Sequence, residues 1–120
     1  LPLIEQAIAL DPRSPDVASY LRVKCDAYLL LGKYDDAIAA CEKSLALQDS
    51  WLPYVDLVAA YAQKGDMAKT VVAKAEVLTR QPRMSIANVK ALRLSDNPIF
   101  LRQLEDHVYP GLRKADIPEN

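Results

Sequence analysis

The sequence predicts an all-α fold of stacked antiparallel helix–turn–helix repeats, and three observations lead there. The motif Tyr28-x-x-x-Gly32-x-Tyr34-x-x-Ala37 returns 33 residues later (61 − 28) as Tyr61-x-x-x-Gly65-x-Met67-x-x-Thr70. Ala27/Ala60, Ala40/Ala73, Leu45/Leu78 and Gln48/Gln81 coincide at the same offset. A period of roughly 34 residues with these residue types marks a helical hairpin repeat. Apolar residues recur at three- and four-residue spacing, and Ser, Asn, Pro and Gly stand where helices start and stop.

Taken in order, Leu3, Ile4, Ala7, Ile8 and Leu10 share one helical stripe that Pro12 ends. Glu5/Glu42, Ala9/Ala46 and Leu10/Leu47 agree at a common offset, so residues 1–13 read as the second half of a repeat whose first helix is missing. The first full repeat covers 14–48. Ser14 is its cap and Pro15 its first helical residue. Leu21, Cys25, Tyr28 and Leu31 form the stripe of its first helix, and Gly32-Lys33 is the turn. Ala37, Ile38, Cys41 and Leu45 form the stripe of the second helix. The next repeat covers 49–82: Asp49 or Ser50 caps, Pro53 sits in the first turn, Gly65-Asp66 turns, and Thr70, Val71, Lys74, Val77 and Leu78 mark the inner side. Residues 83–115 read as a capping pair of helices, the second started by Asn97-Pro98 and striped by Ile99, Phe100, Leu104, Val108 and Leu112. A kink or break is expected at Pro110-Gly111. The pair is expected to cover the open apolar end of the stack, and 116–120 to be a frayed polar tail.

Composition bounds the function. At 120 residues with 51% hydrophobic content and three glycines, the chain makes one ordered domain with a modest core. A net charge of −1 from 15 basic and 16 acidic side chains leaves no electrostatic footprint for nucleic acid. No apolar run approaches the roughly 20 residues that cross a bilayer, so no membrane contact is expected. The start, Leu1-Pro2-Leu3, lacks Met and a leader pattern, which points to a cytoplasmic piece of a larger protein. Cys25 and Cys41 have neither zinc-motif nor disulfide-framework spacing. They are expected as small buried thiols in a reducing cytosol, with a disulfide between neighbouring helices as the alternative.

Over positions 18–82 these residues resemble the tetratricopeptide repeat (TPR) family. Cys25, Ala37 and Ser44 take its small positions in the first unit, with Tyr28 at the aromatic one and Cys41 at the usual Phe/Tyr one. Val58, Thr70 and Val77 take the small positions in the second, and Pro82 matches the terminal proline, which Asp49 replaces in the first unit. The resemblance implies a short right-handed solenoid that binds proteins. Gly111-Leu112-Arg113-Lys114-Ala115-Asp116-Ile117-Pro118-Glu119 is similar to the ending of bacterial class III adenylate/guanylate cyclases that carry C-terminal TPRs, although Asp116 stands where those have Gly and Pro110 enters the last helix. That second resemblance implies an upstream cyclase domain, none of whose nucleotide or metal residues falls in this chain.

Catalytic chemistry has little to work with. Three scattered glycines make no phosphate loop. His107, the single histidine, is expected as a solvated helix-surface residue beside Glu105 and Asp106. Asp35-Asp36 reads as a helix start favoured by the dipole, not an acid/base dyad. No catalytic, metal or cofactor residues are assigned, and the fragment is expected not to be an enzyme. What remains is a surface. The TPR resemblance implies a concave groove lined by Ser19, Arg22, Asp26 and Leu29 of one unit and by Leu52, Val55, Asp56, Ala59 and Gln63 of the next. Arg22 and Asp26, four apart, are as well placed to pair with each other. Asp26 stands where carboxylate-binding members have Asn, and Val55 and Ala59 carry no charge. The groove therefore suits an amphipathic helix or extended apolar peptide. Self-association, with the groove filled by the chain itself or a second copy, is the alternative. A transcriptional regulator carrying this tail is a third reading.

Overall fold

The computed structural model describes residues 3–6, 16–92 and 97–120, and the regular elements among them are all helical. They are α1 (Val17–Leu30), α2 (Tyr34–Leu47), α3 (Trp51–Lys64), α4 (Met67–Arg80), α5 (Ile86–Ala91), α6 (Pro98–Gln103), a π-helical turn (Leu104–Val108) and α7 (Tyr109–Lys114). Residues 3–6 are also helical, and Glu5 meets Lys24 of α1 at 3.1 Å. Residues 7–15, with the expected Ser14-Pro15 start, lie outside the described residues.

The four long helices make two antiparallel hairpins, α1–α2 and α3–α4. Gly32 at φ +75° and Gly65 at φ +80° turn them. An L side chain would lose about 1–2 kcal/mol in that backbone conformation. Ser50 starts α3 by accepting from the Leu52 N–H at 3.4 Å, and Asp66 starts α4 by accepting from the Lys69 N–H at 3.2 Å. Small residues sit where the helices cross: Ala37, Cys41, Val58, Ala59, Ala60 and Ala73 are all buried. Ser44, equally buried, satisfies its hydroxyl by donating to the Ala18 carbonyl at 2.7 Å. Tyr61 joins the hairpins by donating to Glu42 at 3.0 Å. Burial and the Glu42 carboxylate push its phenol up to about 12. Arg80 closes the second hairpin with a two-pronged bond to Asp49 (3.0 and 2.6 Å) while lying over the Tyr54 ring at 4.5 Å.

Three expectations about side-chain placement need correction. The inner side of α4 is set by Thr70, Ala73 and Val77, so Val71 faces outward and is 63% exposed. Leu31 lies past the end of α1 and is exposed too. Cys25 and Cys41 are not free thiols. They form a disulfide with Cα atoms 5.4 Å apart, because the hairpin sets the two residues opposite each other across the Gly32 turn.

The C-terminal helices depart furthest from expectation. Asn97 accepts from the Ile99 N–H at 2.9 Å with Pro98 at the first position, as the sequence indicates. At Pro110 the helix does not break; it widens into the π turn just before the proline and runs on as α7. Proline brings no N–H for the Asp106 carbonyl four residues back. The Gln63 amide supplies the missing donor, reaching Asp106 O at 3.3 Å and His107 O at 3.2 Å. α7 packs chiefly across α3, and the π turn packs against both α3 and α1. Gly111 makes this approach possible, since a Cβ there would stand 2.5 Å from the Ala59 carbonyl oxygen. Nor is the tail frayed. Ile117 is buried, and the Pro118 and Glu119 carbonyls accept from the Ile86 and Ala87 N–H groups at 2.8 and 2.9 Å. Those N–H groups are ones that the start of α5 leaves without helical partners.

Candidate functional site

Because α6, the π turn and α7 cross the face that α1 and α3 share, part of the expected groove is filled and part becomes a cavity. The cavity holds about 480 Å³, within the usual range for ligand and side-chain pockets. Six of the nine groove residues line it: Arg22, Asp26, Leu29, Leu52, Val55 and Asp56. The other three do not. Ser19 is exposed away from it, Ala59 lies beneath Gly111, and Gln63 is bonded to the π turn and, through its Oε1 at 2.7 Å, to Lys114.

The remaining wall comes from Val23, Ala27 and Leu30 of α1, from Trp51, and from Val89, Leu92, Phe100, Leu104, Val108 and Tyr109. The apolar stripe Phe100–Leu104–Val108 was legible in the sequence, but nothing in its spacing said which surface it would cover. Val23 and Leu92 stand at the rim, 42% and 47% exposed, so the opening is greasy as well as the interior.

Polar atoms are few and close together. Arg22 pairs with Asp26 at 3.2 Å, as the four-residue spacing allows. Asp56 lies beside them with its Oδ2 buried and no donor reaching it. Burial holds the Asp56 carboxyl well above the usual carboxylate range; the Asp26 charge and a hydrogen bond to Asp26 push the same way, against the weaker pull of Arg22. An isolated buried carboxylate would carry a large desolvation cost, which protonation removes.

His107 is not the solvated residue the sequence suggested. It is half-buried against the first hairpin turn, with Tyr34 Oη 2.9 Å from its Nδ1. Asp35, expected at a helix start, is there, and it also pairs with Lys64 of α3. Neither residue borders the cavity. No helix among the described residues is long and apolar enough to cross a membrane.

Comparison of the chain with protein-family models, with curated proteins and with solved structures finds no match.

Proposed function

We propose that the chain is a protein-interaction module of TPR-like hairpins, a short right-handed solenoid whose cavity between α1, α3 and the C-terminal helices receives the apolar anchor of a partner's amphipathic helix. The observation that carries this reading is the convergence of six groove residues on one apolar cavity of about 480 Å³ with an exposed apolar rim. A cavity of that size accepts one or two large side chains, and helix-in-groove recognition works through such anchors. The chemistry at its wall favours an anchor flanked by lysine or arginine. A cation there would meet Asp26 and the unpartnered Asp56 Oδ2, both on the cavity wall.

The module does not catalyse in this reading. It regulates or positions a domain elsewhere in a larger protein, and the Gly111–Glu119 resemblance favours a nucleotide cyclase for that domain. The cytoplasm expected from the sequence would keep a Cys25–Cys41 bridge open, whereas an oxidising compartment keeps it closed. The purified chain should produce no cyclic nucleotide from ATP or GTP; production would reject the non-catalytic role.

Trp51, the only tryptophan, lines the cavity and reports on its contents. Titration with a lysine-bearing amphipathic peptide should shift its emission saturably. Val55→Lys, which puts a charge on the cavity wall, should abolish the shift. An unchanged spectrum up to millimolar peptide would reject cavity docking.

One observation favours self-association as a second reading. Met67, Val71 and Val72 leave an apolar strip on the outer face of α4, 45%, 63% and 64% exposed. Light scattering on dilution distinguishes the two: a dimer that persists below micromolar and is lost in Val71→Lys supports this strip as the working surface.

A further inference from the structure

We propose that the Cys25–Cys41 pair and Asp56 form a zinc site when the disulfide is reduced. The two Sγ atoms and a carboxylate oxygen of Asp56 lie within 4.8 Å of one another. Tetrahedral zinc needs its ligand atoms about 3.4–3.8 Å apart, given Zn–S near 2.3 Å and Zn–O near 2.1 Å. Cα atoms 5.4 Å apart leave both sulfurs room to separate to that spacing by side-chain rotation once the bond between them is gone.

Each ligand comes from a different helix: Cys25 from α1, Cys41 from α2 and Asp56 from α3. That is why no sequence spacing announces the site. Two thiolates favour zinc over magnesium or calcium, which prefer all-oxygen shells. The Asp56 Oδ2 already lies buried without a donor, so it has a coordination direction unspent. Asp56 also borders the cavity, from which water can fill the fourth position. An oxidised chain staples α1 to α2; a zinc-loaded chain would hold α3 in addition.

The chemistry balances with a dithiol as reductant. It gives two electrons to the S–S bond, which breaks, and it becomes a disulfide itself. The two cysteine sulfurs take the two protons the dithiol loses. Zinc then displaces those protons to solvent, with any proton on Asp56, as thiolate and carboxylate bind. Cys25 and Cys41 are 1% and 0% exposed, so the reductant acts through a local opening of the hairpin.

The test uses the full 120-residue chain, reduced with a phosphine, desalted without oxygen and titrated with cobalt(II) and then zinc. One equivalent of cobalt should give the near-ultraviolet thiolate charge-transfer band and the visible bands of a tetrahedral site, and zinc should bleach both. Competition against a chromophoric chelator should show at least tenfold weaker zinc binding for Asp56→Asn. The double variant Cys25→Ser/Cys41→Ser should lose the charge-transfer band. Absence of a tetrahedral cobalt spectrum in the reduced, helical chain would overturn the proposal, as would unchanged zinc affinity in Asp56→Asn. A reduced chain that loses its helical circular dichroism and does not regain it with one equivalent of zinc would overturn it equally.

Discussion

Tyr34 Oη lies 2.9 Å from His107 Nδ1, and the two rings meet edge to face at 6.0 Å. The contact links the first residue of α2 to the π turn, 73 residues away, and so clamps the C-terminal helices to the first hairpin. Tyr34→Phe keeps the ring and loses the hydrogen bond, which should cost about 0.5–1.5 kcal/mol in urea unfolding. Gly32→Ala should cost more, about 2 kcal/mol. It combines a positive φ with a Cβ placed 2.9 Å from His107 Cε1. If both variants unfold with the wild-type midpoint, the clamp contributes nothing.

Gly111 carries a close approach between α7 and α3. The atom a Cβ would strike is the Ala59 carbonyl oxygen at 2.5 Å, and backbone in mid-helix has little freedom to yield. Gly111→Ala should therefore destabilise by about 1–3 kcal/mol or lift α7 off α3. Hydrogen exchange separates these outcomes: lifting raises exchange in 104–115 while α1 and α2 keep their protection. Wild-type stability and exchange would contradict the packing described.

Gln63 stands in for the N–H that Pro110 lacks. Gln63→Ala removes the donor to two carbonyls and the acceptor for Lys114, and should cost about 1–2 kcal/mol. Restoring the backbone donor with Pro110→Ala in the same chain should recover part of the loss. Strict additivity of the two variants would show that the amide and the proline are unrelated.

Asp56 makes the oxidised fold sensitive to pH. Its folded carboxyl is raised, so the stability associated with it is fully present below the ordinary carboxylate range and is lost as pH rises through the raised value. Asp56→Asn cannot ionise and should flatten this part of the profile. Urea midpoints from about pH 4 to 8 should fall with pH in the wild type relative to the variant. Parallel profiles would show that Asp56 titrates normally.

The hairpins were legible because their determinants are local. Gly32 and Gly65 each sit where only a left-handed residue turns the chain, and the apolar spacing around them is helical. The destination of the C-terminal stripe was not legible, because Phe100, Leu104 and Val108 announce a buried face without naming its partner. The bridge was half legible. Cys25 precedes the Gly32 turn by 7 residues and Cys41 follows it by 9, a register that antiparallel helices bring together, yet spacing alone does not distinguish bonded from free cysteines. Asp116 was read as a departure from a glycine pattern. Its φ of +59° gives that glycine a physical reason, since it is a left-handed helix end, and predicts that Asp116→Gly stabilises by about 0.5–1 kcal/mol in thermal unfolding. The cavity was least legible, because it exists only where three distant segments meet.

The docking reading is tested most directly by methyl NMR of the labelled chain with saturating amphipathic peptide. The expected shifts fall on Val23, Leu30, Leu52, Val55, Leu104 and Val108, which ring the cavity. Shifts confined to Met67, Val71 and Val72, or none at all, would contradict it.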